Sequence, residues 1–251
     1  MSHNRPNETK GFYEAKYAAG EEILRTCKLF TLDCVPAAPP ALDVLDVGCA
    51  TGSNTSNITS KGHRVTGVDI SENAIEKYKA RGFDGHVMDI SAGLDFADES
   101  YDLVFCSEVI EHLVRPEELV REFARVLRPG GRLVLSTPNS AFWAYRFLGL
   151  FGITVTELQH PMHLRFFSKR SLTRALTCEG LAVEQVLGRN MYALLPDPGP
   201  KVAWLLRRLG FKEEVRFRTG KRIWHLSAKS SRLNSFFADT LIAVAVKNNN
   251  R

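Results

Sequence analysis

Short apolar runs alternate with amphipathic segments through the first half of the chain, and glycine or polar residues bound each run. Runs of this length between turn residues favour buried strands. They predict strands over 43–48, 64–70, 84–89, 101–107 and 133–135. Strands that alternate with helical segments are typical of a parallel sheet covered on both faces.

Two of the intervening segments carry strong helix signals. Ser71 is a good N-cap for a helix over 72–80. Pro116 suits the first position of a second helix, and apolar residues repeat at helical spacing from there to Leu127. The RPGG run at 128–131 predicts the end of that second helix.

Further elements are predicted towards the two ends of the chain. A loose apolar stripe indicates a helix over 11–32. Ser168 is a good N-cap for a helix over 169–178. Nearly continuous apolar runs then predict strands over 181–187 and 240–246, which brings the number of predicted strands to seven.

Residues 189–239 form a basic insertion before the last predicted strand. The segment holds eleven Lys or Arg residues against four Asp or Glu residues. A loop of this length without secondary structure is uncommon in a compact domain, so we predict helices within it, around 200–209. All three tryptophans lie in this insertion or in 138–165.

Composition narrows the class of protein without identifying its chemistry. The 251 residues are 44% hydrophobic and 24% charged, as in ordinary globular proteins. The net charge of +5 favours a solvated surface over a nucleic-acid footprint. The five scattered cysteines form no CxxC pair, so neither a disulfide framework nor a metal site is predicted. With no signal-peptide core and no long apolar run, we expect a cytoplasmic protein without a transmembrane segment.

A glycine turn follows the first predicted strand. Gly48 and Gly52 give a G-x-x-x-G spacing, and Asp69 ends the second strand 21 residues after Gly48. An acid at this distance from a glycine turn is typical of a site that binds an adenosine-bearing cofactor. The helix predicted after Gly52 is short and made of weak helix formers, and Asp46 before the turn suits a cation better than a phosphate. These features disfavour a dinucleotide.

The segment 45–52, LDVGCATG, resembles the first motif of class I S-adenosylmethionine-dependent methyltransferases. Later landmarks match in order through 43–187 and the strand at 240–246, with Ala50 where the family most often has glycine. The resemblance implies a Rossmann-like, doubly wound α/β fold with a mostly parallel seven-stranded sheet and an inserted helical segment before the last strand. It also implies S-adenosylmethionine as cofactor and S-adenosylhomocysteine as product.

The resemblance assigns cofactor contacts to residues along the carboxyl ends of the first four strands. Asp69 would accept hydrogen bonds from both ribose hydroxyls, Asp89 would accept one from the adenine amino group, and Ile90 would pack near the base. The residues predicted to bind the cofactor are Asp46, Gly48, Cys49, Gly52, Asp69, Ile70, Asp89, Ile90, Ser107 and Glu108.

His112 and His163 are the candidates for a general base. A base is needed where the acceptor must lose a proton to become nucleophilic. On a helix, Glu108 and His112 would share one face. His160 and His163 lie where the family often has a His-x-Arg-Phe-like element, and one of them would line the acceptor pocket. For each histidine, local packing is an alternative to catalysis.

The predicted organisation has three parts. Residues 1–40 form a helical lid in which Tyr13 and Tyr17 either cover the cofactor or pack in the core. Residues 41–188 and 240–251 form the methyltransferase domain, and 189–239 is the segment expected to bind the acceptor. The basic and aromatic composition of 189–239 suits an anionic or amphipathic acceptor.

We therefore predict a methyltransferase that acts at oxygen on a small molecule or on a lipid- or sugar-linked metabolite. A tRNA or protein methyltransferase is the enzymatic alternative, although nucleic acid is a disfavoured partner because no recognised RNA-binding motif is present. A non-catalytic cofactor-binding interaction protein is the other alternative. The sequence predicts neither the acceptor nor the oligomeric state.

Overall fold

The computed structural model describes residues 5–19, 31–189, 191–192, 211–218, 221–228 and 238–248 of the chain. The strands are β1 (Asp43–Val47), β2 (Arg64–Asp69), β3 (Asp84–Val87), β4 (Tyr101–Ser107), β5 (Leu127–Pro138), β6 (Leu181–Arg189), β7 (Met191–Tyr192), β8 (Phe211–Arg218), β9 (Lys221–Ala228) and β10 (Thr240–Lys247). The helices are α1 (Arg5–Ala18), α2 (Ser53–Ser60), α3 (Glu72–Ala80), α4 (Pro116–Val126), α5 (Trp143–Gly149), α6 (Val155–Leu158) and α7 (Lys169–Cys178).

Seven strands form one sheet in the order β3-β2-β1-β4-β5-β10-β6. β1 pairs in parallel with β2 and β4, and β5 pairs in parallel with β4. β10 is antiparallel to both of its neighbours, β5 and β6. This is the doubly wound, mostly parallel sheet that the sequence predicts.

The insertion differs from the helical segment predicted for it. Most of its described residues lie in strands: β8 and β9 pair antiparallel, and β7 pairs antiparallel with β9. The sequence carries the signal, since Val215 and Phe217 alternate with charged residues at a strand period rather than a helical one. The predicted helix at 200–209 lies outside the described residues.

Three predicted boundaries also change. The helix predicted over 11–32 begins earlier, at Arg5, and α1 ends at Ala18, while 20–30 lie outside the described residues. β3 ends at Val87 because Asp89 caps a 3₁₀ turn that follows. The 128–131 run lies inside β5, which begins directly after α4 and shifts register near its start.

The core is made by the strands and the helices packed on them. β1 and β4 are buried on both faces, and α4 buries one face through Leu119, Val120, Phe123 and Val126. The apolar runs are strands because burial of both faces of a parallel sheet removes their side chains from water. Within the described residues, no helix combines the length and the apolar composition that crossing a bilayer requires.

The insertion leaves and rejoins the sheet at one edge. Arg189, at the end of β6, pairs with Thr240, at the start of β10, and Thr240 pairs with Pro138, at the end of β5. Because β5 runs parallel to β4 and β1, this edge holds the carboxyl ends of the parallel strands. Ligands of open α/β sheets bind outside that edge.

Candidate functional site

A cavity of about 350 Å³ lies outside the carboxyl ends of β1, β2 and β4. Helix α1 covers it, because four residues of that helix line the cavity: Thr9, Tyr13, Lys16 and Tyr17. A volume of this size is typical of a small-molecule site. The cavity is therefore the candidate functional site.

The glycine turn after β1 forms part of the cavity wall. Gly48 and Gly52 have φ angles of 72° and 89°, in the left-handed region that favours glycine. A Cβ atom at Gly48 would lie 2.4 Å from a methyl carbon of Val109. Ala50 also adopts a positive φ, 51°, so the alanine that departs from the family pattern fits in size but occupies a conformation that suits glycine better.

Asp69 lies on the cavity wall with its carboxylate held in a fixed orientation. Its Oδ2 accepts a hydrogen bond from the backbone N–H of Ala50 at 3.0 Å, and its Oδ1 accepts one from the N–H of Ser71 at 3.0 Å. A carboxylate offers about four acceptor positions, so these bonds leave capacity for ligand hydroxyls. The turn after β1 and the start of α3 thus both help to fix the orientation of the Asp69 carboxylate.

The other predicted adenosine contacts also line the cavity. Asp89 lies there with Ile90, and Ile70 follows Asp69. One carboxylate oxygen of Asp89 accepts hydrogen bonds from the N–H and the hydroxyl of Ser91, at 3.0 and 2.7 Å. These residues therefore border one cavity, and their contacts with the cofactor stay a prediction.

Three predicted cofactor residues lie behind the turn instead of in the cavity wall. Asp46 is 1% exposed, and its Oδ2 accepts a 2.7 Å hydrogen bond from the Thr55 hydroxyl. The same hydroxyl lies 3.0 Å from the Tyr78 hydroxyl, whose pKa is raised far above its usual range by burial and by Asp46. Asp46 therefore supports α2 under the turn and does not line the cavity, and its predicted contact with the cofactor stays a prediction.

Cys49 and Gly52 are the other two. Cys49 is buried at 1% exposure, with its sulfur close to Gly67 of β2. Gly52 packs against Phe83, where an added Cβ would come within 2.9 Å of the ring. Both residues shape the turn from below.

Ser107 and Glu108 line the cavity at the end of β4. Their side chains meet at Ser136, whose hydroxyl lies 2.9 Å from that of Ser107 and donates to the Glu108 carboxylate at 3.0 Å. Glu108 has a φ of 58°, and a 3₁₀ turn begins only at Ile110. Glu108 and His112 therefore do not share a helical face, contrary to the spacing argument.

Of the two candidate bases, only His112 lines the cavity. Its Nδ1 lies 3.0 Å from the Met162 carbonyl oxygen, and its Nε2 lies 3.2 Å from the Tyr13 hydroxyl. His163 packs behind it, with ring centroids 4.8 Å apart, and its Nδ1 lies 3.0 Å from Oε1 of Gln159. The structure brings the two histidines together but turns only one towards the ligand space.

Sequence reasoning did not single out Glu111. Its side chain is 1% exposed, one carboxylate oxygen accepts a 3.0 Å hydrogen bond from the Thr137 hydroxyl, and the other lies 4.0 Å from Nε2 of His112. The sequence signal that could have indicated Glu111 is its position directly before His112, a candidate base. Other cavity residues that the sequence did not indicate are Lys16, Thr51, Ser53, Arg115 and Glu118.

Comparison with known sequences matches residues 17–186 to a family model described as a methyltransferase domain. A ubiquinone biosynthesis O-methyltransferase from Aromatoleum aromaticum is 32% identical over 157 residues, which cover 59% of this chain and 67% of that protein. A protein from Mycolicibacterium smegmatis, whose name includes S-adenosylmethionine-dependent methyltransferase, is 36% identical over 150 residues. That match covers 58% of this chain and 54% of the relative, so the chain spans between about half and two thirds of these two relatives.

Solved structures share the fold at low sequence identity. A SAM-dependent methyltransferase from Archaeoglobus fulgidus has a TM-score of 0.61 at 18% identity, covering 88% of this chain and 93% of its own. The 1,6-didemethyltoxoflavin-N1-methyltransferase of Burkholderia thailandensis, solved with S-adenosylhomocysteine, has a TM-score of 0.58 at 14% identity. Its match covers 99% of this chain and 92% of that one.

Proposed function

Because the chain belongs to the class I S-adenosylmethionine-dependent methyltransferase family, we propose that it transfers a methyl group from this cofactor to a hydroxyl oxygen of a small molecule or of a lipid- or sugar-linked metabolite. The observation that carries the proposal is the placement of Asp69 and His112. Both face one covered cavity, the first as an oriented acceptor for hydroxyls and the second as a base.

The residues of the cavity fit the cofactor chemically. Asp69 can hold the ribose hydroxyls, Asp89 the adenine amino group, and Ile90 the face of the base. The glycine turn brings backbone to the edge of the same space, and Val109 occupies the position that a side chain at Gly48 would need. These acceptor groups match an adenosine, whose ribose hydroxyls and adenine amino group donate hydrogen bonds.

The chain's own residues position the acceptor and take its proton. When bound, the cofactor supplies a methyl group on a sulfonium, a good leaving group that needs no activation by the protein. Alignment of the acceptor oxygen with that methyl group supplies most of the rate. His112 receives the hydroxyl proton at Nε2, the ring nitrogen next to the hydroxyl of the cavity residue Tyr13, as a general base.

Two observations support a small-molecule acceptor. The relative from Aromatoleum aromaticum is named for O-methylation in ubiquinone biosynthesis. In addition, the insertion 189–239 leaves and returns at the sheet edge that holds the cavity, where a segment that selects the acceptor would have to be. In this proposal α1 is the lid and the insertion contacts the acceptor.

The test is transfer of a tritiated methyl group from S-adenosylmethionine to a pool of small metabolites, with His112→Asn as the comparison. We expect labelled product from the wild type and a loss of turnover of about 100-fold or more in the variant, with calorimetric binding of S-adenosylhomocysteine retained. Binding without transfer to any pool would indicate a non-catalytic cofactor-binding protein. Transfer to tRNA with a steep salt dependence would indicate the RNA alternative.

A further inference from the structure

Glu111 places a buried carboxylate beside the ring of His112. The side chain is 1% exposed and is reached from β5 by the Thr137 hydroxyl, 3.0 Å from Oε2. Its main-chain oxygen accepts hydrogen bonds from the N–H groups of Leu164 and Arg165, at 2.8 and 3.0 Å. Glu111 is therefore fixed by both its backbone and its side chain.

The hydrogen bonds of His112 define which nitrogen can act as a base. The carbonyl oxygen of Met162 can only accept, so Nδ1 at 3.0 Å carries a proton and donates it. The lone pair of the neutral ring is then on Nε2, which accepts from the Tyr13 hydroxyl at 3.2 Å. Oε1 of Glu111 lies 4.0 Å from this same Nε2.

We propose that Glu111 is a positioning residue for His112, whose buried carboxylate stabilises the imidazolium that forms at Nε2 when the acceptor hydroxyl gives up its proton. The inference rests on the proposed function, in which His112 is the base. A negative charge about 4 Å away, in a site shielded from water, favours the charged form of an imidazole.

The proton and electron balance is complete. The acceptor oxygen forms a bond to the methyl carbon, the carbon–sulfur bond breaks with its electron pair going to sulfur, and the hydroxyl proton goes to Nε2 of His112. The imidazolium returns this proton to water when the product leaves. No oxidant, reductant or further reactant is required.

Other ionisable groups surround the pair. Tyr13 of α1 contacts the His112 ring, Lys16 and Glu108 line the same cavity, and the rings of His160 and His163 lie 6.4 and 4.8 Å from the His112 ring, centroid to centroid. The Glu108 carboxylate also accepts a hydrogen bond from the Ser136 hydroxyl. Of the two carboxylates, Glu111 is the buried one, so a negative charge on it is less screened by water than one on Glu108.

The experiment follows the titration of His112 by imidazole NMR in the full chain, with S-adenosylhomocysteine and EDTA present and the signal assigned by its loss in His112→Asn. Glu111→Gln keeps the side-chain shape and an oxygen for Thr137 but removes the charge. We expect the pKa measured for His112 to fall by about one unit in this variant, a tenfold loss of proton affinity. Glu117→Gln, which replaces an exposed carboxylate of α4, is the matched control and leaves the pKa of His112 unchanged.

Thr137→Val separates charge from packing. It removes the hydrogen bond to Oε2 but keeps the carboxylate, so we expect the pKa of His112 to fall by less than in Glu111→Gln. Equal falls in Thr137→Val and Glu111→Gln would overturn the proposal, as would no change in Glu111→Gln while its melting temperature stays near that of the wild type. Because the titration uses no acceptor, it can succeed even if methyl transfer to oxygen fails.

Discussion

The hydroxyl of Tyr13 lies 3.2 Å from Nε2 of His112, and both residues line the cavity. Tyr13 belongs to α1, whereas His112 ends the 3₁₀ turn after β4. The two residues are 99 positions apart in sequence. The lid helix is thus joined directly to the residue that we propose as the base.

Tyr13→Phe removes this link without removing the ring. We expect S-adenosylhomocysteine to bind about 2- to 10-fold more weakly, because the loss of one hydrogen bond loosens the helix that covers the cavity. Isothermal titration calorimetry measures the change. Phe12→Leu, which alters an exposed neighbour on the same helix, is the control. If Tyr13→Phe bound S-adenosylhomocysteine as tightly as the wild type, the Tyr13 hydroxyl would have no part in closing α1 over the cavity.

Asp69→Asn tests the assignment of the ribose acceptor. The amide has one oxygen where the carboxylate has two, so it cannot accept from both Ala50 and Ser71 and also from a ligand in the same way. We expect a loss of affinity for S-adenosylhomocysteine of about 10- to 100-fold. Asp33→Asn, an exposed acid outside the cavity, should bind like the wild type. Normal binding by Asp69→Asn would contradict the assignment.

Gly48→Ala tests the turn itself. The substitution places a Cβ against Val109 and forces a positive φ on alanine, which costs roughly 1–2 kcal/mol before the clash is counted. We expect a lower melting temperature and weaker cofactor binding. Adding Val109→Ala should restore part of the stability by removing the contact but not the backbone strain. A double variant no more stable than Gly48→Ala would show that the clash is not a cause.

Thr55→Val tests the support beneath the turn. The variant leaves the buried Asp46 carboxylate without the hydroxyl that donates to it, and we expect a loss of about 1–3 kcal/mol in the free energy of unfolding. Thr59→Val lies on the exposed face of the same helix and should change little. Urea denaturation compares the two. Similar stabilities for both variants would show that the buried hydrogen bond contributes little.

Glu122 predicts a specific dependence of stability on pH. The hydrogen bond from Arg125 holds the pKa of this carboxyl below its usual value, against an opposing effect of burial, and the N–H of Leu94 adds to the lowering. A lowered folded-state pKa gives stability that is present above the unfolded-state pKa and lost as pH falls through the folded-state value.

Glu122→Gln should therefore be less stable than the wild type at neutral pH by about 1 kcal/mol, and the difference should close as pH falls below ~4. Urea midpoints across pH measure this. Glu117→Gln, an exposed acid of the same helix, should show no such closing difference. If the difference in stability between Glu122→Gln and the wild type stayed constant from neutral to acid pH, the charge of the Glu122 carboxylate would not be the cause of that difference.

The placement of Asp69 and Asp89 could be predicted because acids at the ends of neighbouring parallel strands must meet at one edge of the sheet. The face of the sheet on which the Asp46 side chain lies could not be predicted. Side chains alternate between the two faces along a strand, and only the register decides which face an acid takes. Here Asp46 faces Thr55 and the core. The sequence therefore places this acid near the site without saying on which side of the turn it lies.

The pairing of Glu111 with His112 and the strands of the insertion were missed for different reasons. Glu111 is directed inward by the 3₁₀ turn, a short element with no periodic signal. In the insertion, the length of the segment argued for secondary structure of some kind, and the alternation at Val215 and Phe217 decides that it is strand. The count of charged residues in 189–239 does not show this alternation, because it ignores their positions along the segment.

The central position of β10 between β5 and β6 also bears on how the protein is made. Synthesis produces β5 and β6 first and then the 189–239 segment, which takes several seconds at about 5–20 residues per second. During that interval the edge of β5 that will receive β10 has no strand paired to it. Open strand edges are templates for association with other chains. Nascent chains should therefore depend most on chaperone protection just before β10 emerges from the ribosome.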